Sequence, residues 1–151
     1  MNVKENTTEK IYHGKVFSLF KDNFTLPNGV TVDLEILRHP GAAAIVAVSE
    51  DLNILMVRQY RYAVRGLIWE IPAGTLDPGE TPAACAEREL AEETGYTASD
   101  FKQLGEIVPV PGYSDERITL FLAEKLSPVT QSLEKDEYLS VHMVPFDDAL
   151  S

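Results

Sequence analysis

Cysteine is nearly missing from this 151-residue sequence: Cys85 stands alone, so no internal disulfide can form, and the chain suits a reducing, cytoplasmic setting. Long apolar runs are missing too. No stretch approaches the ~20 residues that a membrane span needs, and the opening "MNVKENTTEK" has no signal-peptide apolar core. Positive charge is scarce: 13 Lys and Arg stand against 24 Asp and Glu, a formal net charge of −11. That excess argues against non-specific binding to nucleic acid or to an anionic membrane. It does not exclude a phosphate-bearing substrate, provided metal cations stand between it and the protein. The three histidines lack metal-ligand spacing and are assigned no chemistry. Internal repeats and low-complexity linkers are absent.

What is present suits one compact, soluble domain: 44% hydrophobic and 25% charged residues, with enough length to bury a core. The first 38 residues read as β-structure, with "KVFSLFKDNFTL", an "LPNG" turn and the alternating "VTVDLEILRH". "AAAIVAV" is apolar throughout, as a buried strand would be, and "NILMVRQYR" follows after a turn. "LIWEIPA" reads as one short strand running into Gly74. Later come "QLGEIVPV", "RITLFLAEKL" and "YLSVHMVP", and then "FDDALS" as the opening of a helix. Many strands around one confident helix make the class α+β.

The confident helix lies in residues 74–96, "GTLDPGETPAACAERELAEETGY". Thr81 is its expected N-cap, Pro82 its first residue, and Gly95 its end. Ala83, Ala86 and Leu90 form a small apolar stripe. Glu89, Glu92 and Glu93 fall at i, i+3 and i+4, so their carboxylates share one face. On a bare surface that crowding costs a few tenths of a kcal/mol per pair. A hard divalent cation reverses the sign, since Mg2+ takes one or two carboxylates together with substrate phosphates. Gly74 lets the backbone turn sharply after the strand and aim the Ala73 carbonyl at the same cations. Arg88 stands ready to orient Glu80 or one of the helix carboxylates, and Cys85 reads as a small packing residue.

The stretch fits G-x5-E-x7-R-E-U-x-E-E-x-G-U throughout, with Leu90 and Tyr96 in the bulky apolar slots. Seven fixed residue types would match by chance in roughly one chain in a million of this length. It resembles the Nudix box of the Nudix hydrolases. The resemblance implies a Nudix fold, an α/β/α sandwich around a mixed β-sheet, in which the box forms a loop–helix–loop. It also implies Mg2+- or Mn2+-dependent hydrolysis of a nucleoside diphosphate linked to another moiety. Carried over, Glu89 and Glu93 are the main metal ligands with the Ala73 carbonyl. Glu92 is a further ligand or orienting group, and Gly74, Glu80 and Arg88 support the loop–helix geometry.

The flanks "VRQYRYA", "WEIPAGTLDPGE" and "VPVPGYSDERITLFLAEKL" resemble the ADP-ribose pyrophosphatase branch, which carries a proline 15 or 16 residues beyond the box. Pro111 occupies that place here, with Pro109 nearby. The branch implies that Arg61 contacts the diphosphate, as a guanidinium fork can. It implies that Glu116 contacts the sugar, often from a partner subunit, and that Phe17 lies near the adenine; without the resemblance Phe17 reads equally as core. In the late loop "SLEKDEYLSVHMVP" Glu137 is the expected base or metal ligand, with Glu134 second. Lys135 departs from relatives that carry an acid there, and the ending "FDDALS" departs from relatives that continue into a longer C-terminal helix. The expected organisation is an N-terminal β-segment over residues 1–38 and a Nudix domain over 39–151. A cytoplasmic homodimer that cleaves ADP-ribose is the implied protein, with GDP-mannose as the rival substrate. A non-catalytic ADP-ribose-binding regulator is the reading from another class, disfavoured because every box carboxylate is kept.

Overall fold

The computed structural model describes residues 3–150 and divides into two compact units. One is the chain up to Gly41 together with Ile107–Ile118; the other is Ala42–Glu106 and the chain from Thr119 onward.

The first unit is a three-stranded antiparallel sheet of β1 (Lys4–His13), β2 (Ser18–Thr25) and β3 (Thr31–Arg38), in that order. The β2–β3 turn closes through Gly29 N to Leu26 O at 2.9 Å, with Gly29 at φ 85°, as the "LPNG" signal predicts. Strand β1 falls within the N-terminal β-segment that the sequence indicates, ahead of its most regular stretches, which start at Lys15. All its residues are exposed, so no apolar alternation marks it. Polar cross-strand pairs hold it instead: Asn6 to Asn23 at 2.9 Å, and the Thr8 hydroxyl to Asp22. Residues 107–118 dock beside β3, where Leu37 N donates to Tyr113 O and Asp115 N to Leu37 O. Arg38 ties the two segments, reaching Asp22 at 2.5 Å and Asp115 at 3.3 Å.

The second unit carries β4 (Ala42–Val48), β5 (Asn53–Arg61), β6 (Gly66–Glu70), β7 (Ala73–Thr75), α1 (Pro82–Thr94), β8 (Tyr96–Ile107), β9 (Ile118–Pro128), β10 (Leu139–Pro145) and the four-residue α2 (Phe146–Ala149). The sheet order is β10-β5-β4-β9-β8, with β6 beside β5 and β7 beside β4. Strand β4 is buried nearly throughout, as its unbroken apolar run requires. Its Ala43, Ile45 and Ala47 pack with Leu55, Phe121 and Ala123 against Cys85, Ala86 and Leu90 of α1. Each large side chain buried there, such as Ile45 or Leu90, contributes about 1.5–3 kcal/mol.

Three local readings shift. Ala83 is exposed, and Cys85 takes its place in the packed stripe. Strand β8 begins at Tyr96, not at Gln103; Tyr96, Ala98 and Phe101 pack on the core, but the small and polar residues between them blur the pattern. "LIWEIPA" is two strands. Pro72 has no N–H to give a ladder and breaks the run, while its carbonyl accepts from Ile45 N at 2.9 Å.

Candidate active site

That break positions the site. Strands β4 and β5 pair only at Ala47–Leu55 and Val48–Ile54, and then part. Along β5 runs β6, while β7 pairs Ala73 with Ala44 and Gly74 with Ala43 on β4. The chain therefore enters α1 from the fork of the sheet. Thr81 caps the helix, accepting from Ala84 N at 3.2 Å, and Gly95 ends it in the left-handed region at φ 72°.

At this fork α1 presents two buried carboxylates. Glu93 is 3% exposed, and its Oε2 accepts the Ala73 N–H at 3.0 Å. Burial pushes its carboxyl up to about 8, with the Glu89 and Glu137 charges adding to the rise and the Ala73 bond and Arg61 opposing it. Glu89 is also buried and raised, again chiefly by burial, with Arg88 opposing. Glu92, one turn along, is half exposed.

Arg88 holds this charge in place. Its Nε and Nη2 bind the two oxygens of Glu80, each at 2.9 Å; Nη1 reaches Glu89 at 2.7 Å and Glu92 at 3.2 Å. Nη2 also donates to Thr75 O at 3.3 Å. This planar fork is a task lysine cannot do. The Arg88 contacts lower the Glu80 carboxyl to about 2, and Glu80 in return accepts from Asp77 N, closing the loop ahead of the helix.

Gly74 earns its place by space rather than by a sharp turn. It lies within β7, and its φ is not in the left-handed region. A Cβ there would stand 1.8 Å from Oε1 of Glu89 and 1.9 Å from its Cδ. The absent methyl is the pocket into which Glu89 folds. Cys85, fully buried beside it and pushed up to about 12 by burial, is a packing thiol.

The late loop is fastened to the end of α1. Val129 N donates to Gly95 O at 2.8 Å, the Gln131 amide to Glu93 O at 2.6 Å, and Ser132 N to Glu92 O at 3.0 Å. These donors take up carbonyls that a helix leaves open at its C-terminus. Further on, Glu137 Oε2 accepts from Glu134 N at 2.8 Å, and Tyr60 N bonds Tyr138 O. Half-buried Glu137 is the late-loop carboxylate whose charge raises both Glu89 and Glu93; Glu134 is exposed. Arg61, at the end of β5, lays Nε and Nη2 along Glu70 at 3.0 and 2.7 Å, and feels the charges of Glu93 and Glu137.

The NUDIX domain model matches residues 37–151. The chain belongs to the Nudix family. Two relatives align over nearly all of it: an ADP-ribose pyrophosphatase of Bacillus subtilis, 44% identical over 94% of this chain and 78% of its own length, and a methanol dehydrogenase activator of Bacillus methanolicus, 43% identical over 95% and 78%. A GDP-mannose pyrophosphatase of Cronobacter sakazakii is 30% identical over 87% of this chain and 80% of its own. The crystal structure of an ADP compounds hydrolase superposes with a TM-score of 0.84, covering 99% of this chain and 82% of its own, at 22% identity. The fold is accordingly the Nudix fold.

The donor set of this Nudix site fits a hard divalent cation in one particular way. Among the described residues no three carboxylate, imidazole or thiol side chains are grouped closely enough to enclose an ion alone. What the site offers is two buried carboxyls whose charged forms are disfavoured by burial and by neighbouring carboxylates, so that a cation would stabilise them. That suits Mg2+ or Mn2+, which leave most of their shell to water and substrate phosphate.

The box residues Gly74, Glu80, Arg88, Glu89, Glu92 and Glu93 thus come together with Ala73, Arg61 and Glu137 in one unit. Glu116 and Phe17 belong to the other unit. There Glu116 lies 3.8 Å from His39 Nδ1, and Phe17 sits in the β1–β2 turn, 41% exposed, which removes its reading as a core residue. Three residues of the site unit escaped the sequence reading. Glu70 pairs with Arg61 across β5 and β6, and two glutamines, Gln131 and Gln59, carry no charge pattern that would single them out. No helix among the described residues is long and apolar enough to cross a membrane.

Proposed function

We propose that this chain hydrolyses the diphosphate of ADP-ribose, giving AMP and ribose 5-phosphate. The observation that carries the reading is the pair of buried carboxylates, Glu89 and Glu93, on one face of α1 beside Arg61 and Glu137. The 44% identity to an ADP-ribose pyrophosphatase supports the choice of substrate. Mg2+ or Mn2+, held by Glu89 and Glu93 with Glu92 and the Ala73 carbonyl, would neutralise diphosphate charge and acidify a water. Arg61 binds the diphosphate; its Nη1 is the guanidinium nitrogen not engaged by Glu70. Glu137 takes the proton of the attacking water, a role suited to a carboxylate fixed by the turn at Glu134. Arg88 and Glu80 orient the carboxylates without touching substrate. Glu116 is assigned to the sugar and Phe17 to the adenine. The protein acts in the cytoplasm as a homodimer, consistent with exposed strand residues in the first unit.

The test is a substrate panel of ADP-ribose, GDP-mannose, diadenosine polyphosphates and 8-oxo-dGTP, each with Mg2+ and with Mn2+, products resolved by chromatography. Preference for ADP-ribose supports the proposal. Preference for GDP-mannose would move the chain to the branch of its 30% identical relative. Light scattering that finds a fully active monomer would remove the dimer.

A further inference from the structure

Among the described residues one buried side-chain polar atom lacks a hydrogen-bond partner: Oε1 of Gln59, in a residue only 4% exposed. Buried polar atoms are nearly always paired, because an unpaired one is destabilising to the fold. An apolar side chain of the same size would remove that penalty, so an unmatched acceptor at this place calls for a partner.

Its surroundings point to one. Along β5 the fully buried Leu55 packs with Cys85, Ala86 and Leu90 of α1, and the alternation of a strand puts the buried Val57, then Gln59 and Arg61, on that same side. The β5–β6 register agrees: Val57 lies opposite Glu70, Gln59 opposite Ile68, and Arg61 opposite Gly66. To reach Glu70, the Arg61 side chain must lean back across the Gln59–Ile68 rung. The Arg61–Glu70 ion pair therefore spans the rung that carries Gln59, and its guanidinium is the one on which Glu93 and Glu137 act. The Arg61 side chain is 44% exposed, held to Glu70 through Nε and Nη2 with Nη1 outside the pair. A diphosphate bound through Nη1 of Arg61 would therefore bring the rest of its ligand to the Gln59 side of the strand.

We infer that Gln59 is a ligand-contacting residue whose side-chain carbonyl accepts a hydrogen bond from an O–H group of the bound complex. Phosphate oxygens carry no proton at neutral pH and cannot satisfy it. A sugar hydroxyl can, and so can a water of the cation's shell. The inference rests on the hydrolase reading proposed above.

The experiment compares wild type with Gln59→Met, a near-isosteric change that deletes the polar atoms. With the substrate that wild type prefers on the panel, kcat/KM is expected to fall tenfold or more, while the melting temperature without ligand holds or rises. An ADP alkyl ester with no distal sugar then separates the donors: a loss that vanishes with it identifies a hydroxyl of the distal sugar, and a loss that persists identifies the adenosine ribose or the water, which the 2′,3′-dideoxyadenosine form of the same ester tells apart. A kcat/KM within twofold of wild type overturns the inference. So does a lower melting temperature or an unfolded variant, since either shows the amide to be a satisfied part of the fold. If wild type cleaves nothing on the panel, the hydrolase reading fails on its own. The inference is then judged by the rise in melting temperature that ADP-ribose with Mn2+ produces, and equal rises in the two proteins overturn it.

Discussion

The main-chain N–H of Ala73 donates to Oε2 of Glu93 at 3.0 Å, joining the residue just before the box to the last carboxylate within it. One oxygen of Glu93 is thereby fixed by the fold, and in the proposed mechanism the other meets the cation. Glu93→Gln keeps the size and the acceptor but removes the charge. Turnover is expected to drop ~1000-fold or more, equivalent to about 4 kcal/mol of lost transition-state stabilisation. In chelator the melting temperature should stay level or climb, because glutamine is neutral without taking up the proton that a buried Glu93 must acquire on folding. Near-normal turnover, or an unfolded apo-protein, would make the carboxylate face structural.

Stability without metal should depend on pH through the same residue. Glu93 is held up to about 8 in the folded state, against 4.5 for an unperturbed glutamate. Between those values the folded chain keeps a proton that the unfolded chain releases, so stability falls as pH rises from 4.5 to 8. The ceiling on that slope is one proton, about 1.4 kcal/mol per pH unit. Glu80 works in the opposite direction: lowered to about 2 by Arg88, its contribution is present above 4.5 and fades as pH drops below it. Melting curves in chelator between pH 5 and 9 should show the descending limb in wild type and a shallower one in Glu93→Gln, where the raised Glu89 remains. Cation uptake near neutral pH should release a proton, measurable by calorimetry in buffers of different ionisation enthalpy.

Gly74→Ala tests the space kept for Glu89. The added methyl would fall 1.8 Å from Oε1, and the strand that bears it cannot recede from β4. Glu89 must swing out, and a misplacement of about 1 Å at a reacting centre can cost ~100-fold. A fall of that order in kcat/KM, with far-UV circular dichroism unchanged, is the expected result. Wild-type kinetics would show that Glu89 has another place to go.

Arg88→Lys should damage stability and activity together. Lysine replaces a fork bound to Glu80, Glu89 and Glu92 with a point charge that satisfies one of them. Charge-assisted bonds of this kind contribute about 1.5–3 kcal/mol each when shielded, and less here, where the guanidinium is partly exposed. A loss of about 1–3 kcal/mol in urea unfolding is expected. Equal stability would show that Glu80 and Glu89 do not depend on the fork.

The sequence made the box helix legible to its ends because each signal there is local: Thr81 as cap, Pro82 at the first position and Gly95 in the left-handed region. Strand β4 was equally plain, being apolar at every position. Where the cause was distant, the sequence was silent. Strand β1 is held by polar partners on β2 and has no buried face to write into its pattern. The split at Pro72 follows from strand pairing, and the reason for Gly74 is a carboxylate fifteen residues on (74 to 89) that only the fold brings near. Gln59 and Gln131 are invisible for the same reason: a neutral amide declares itself only through what it touches, or fails to touch.

The bonds from Val129, Gln131 and Ser132 to Gly95, Glu93 and Glu92, with the Ala73 bond to the Glu93 carboxylate, mean that the box is not a portable cassette. Residues 74–96 grafted onto a foreign sheet would bring all the charged groups, yet leave behind the donors that close the helix at its C-terminal end and the Ala73 N–H that fixes the Glu93 carboxylate there. A chimera would inherit the repulsion without the restraint. For protein engineering the transferable piece is larger: the fork from β4 to β7, the helix, and the loop through Tyr138 that returns the chain to β5.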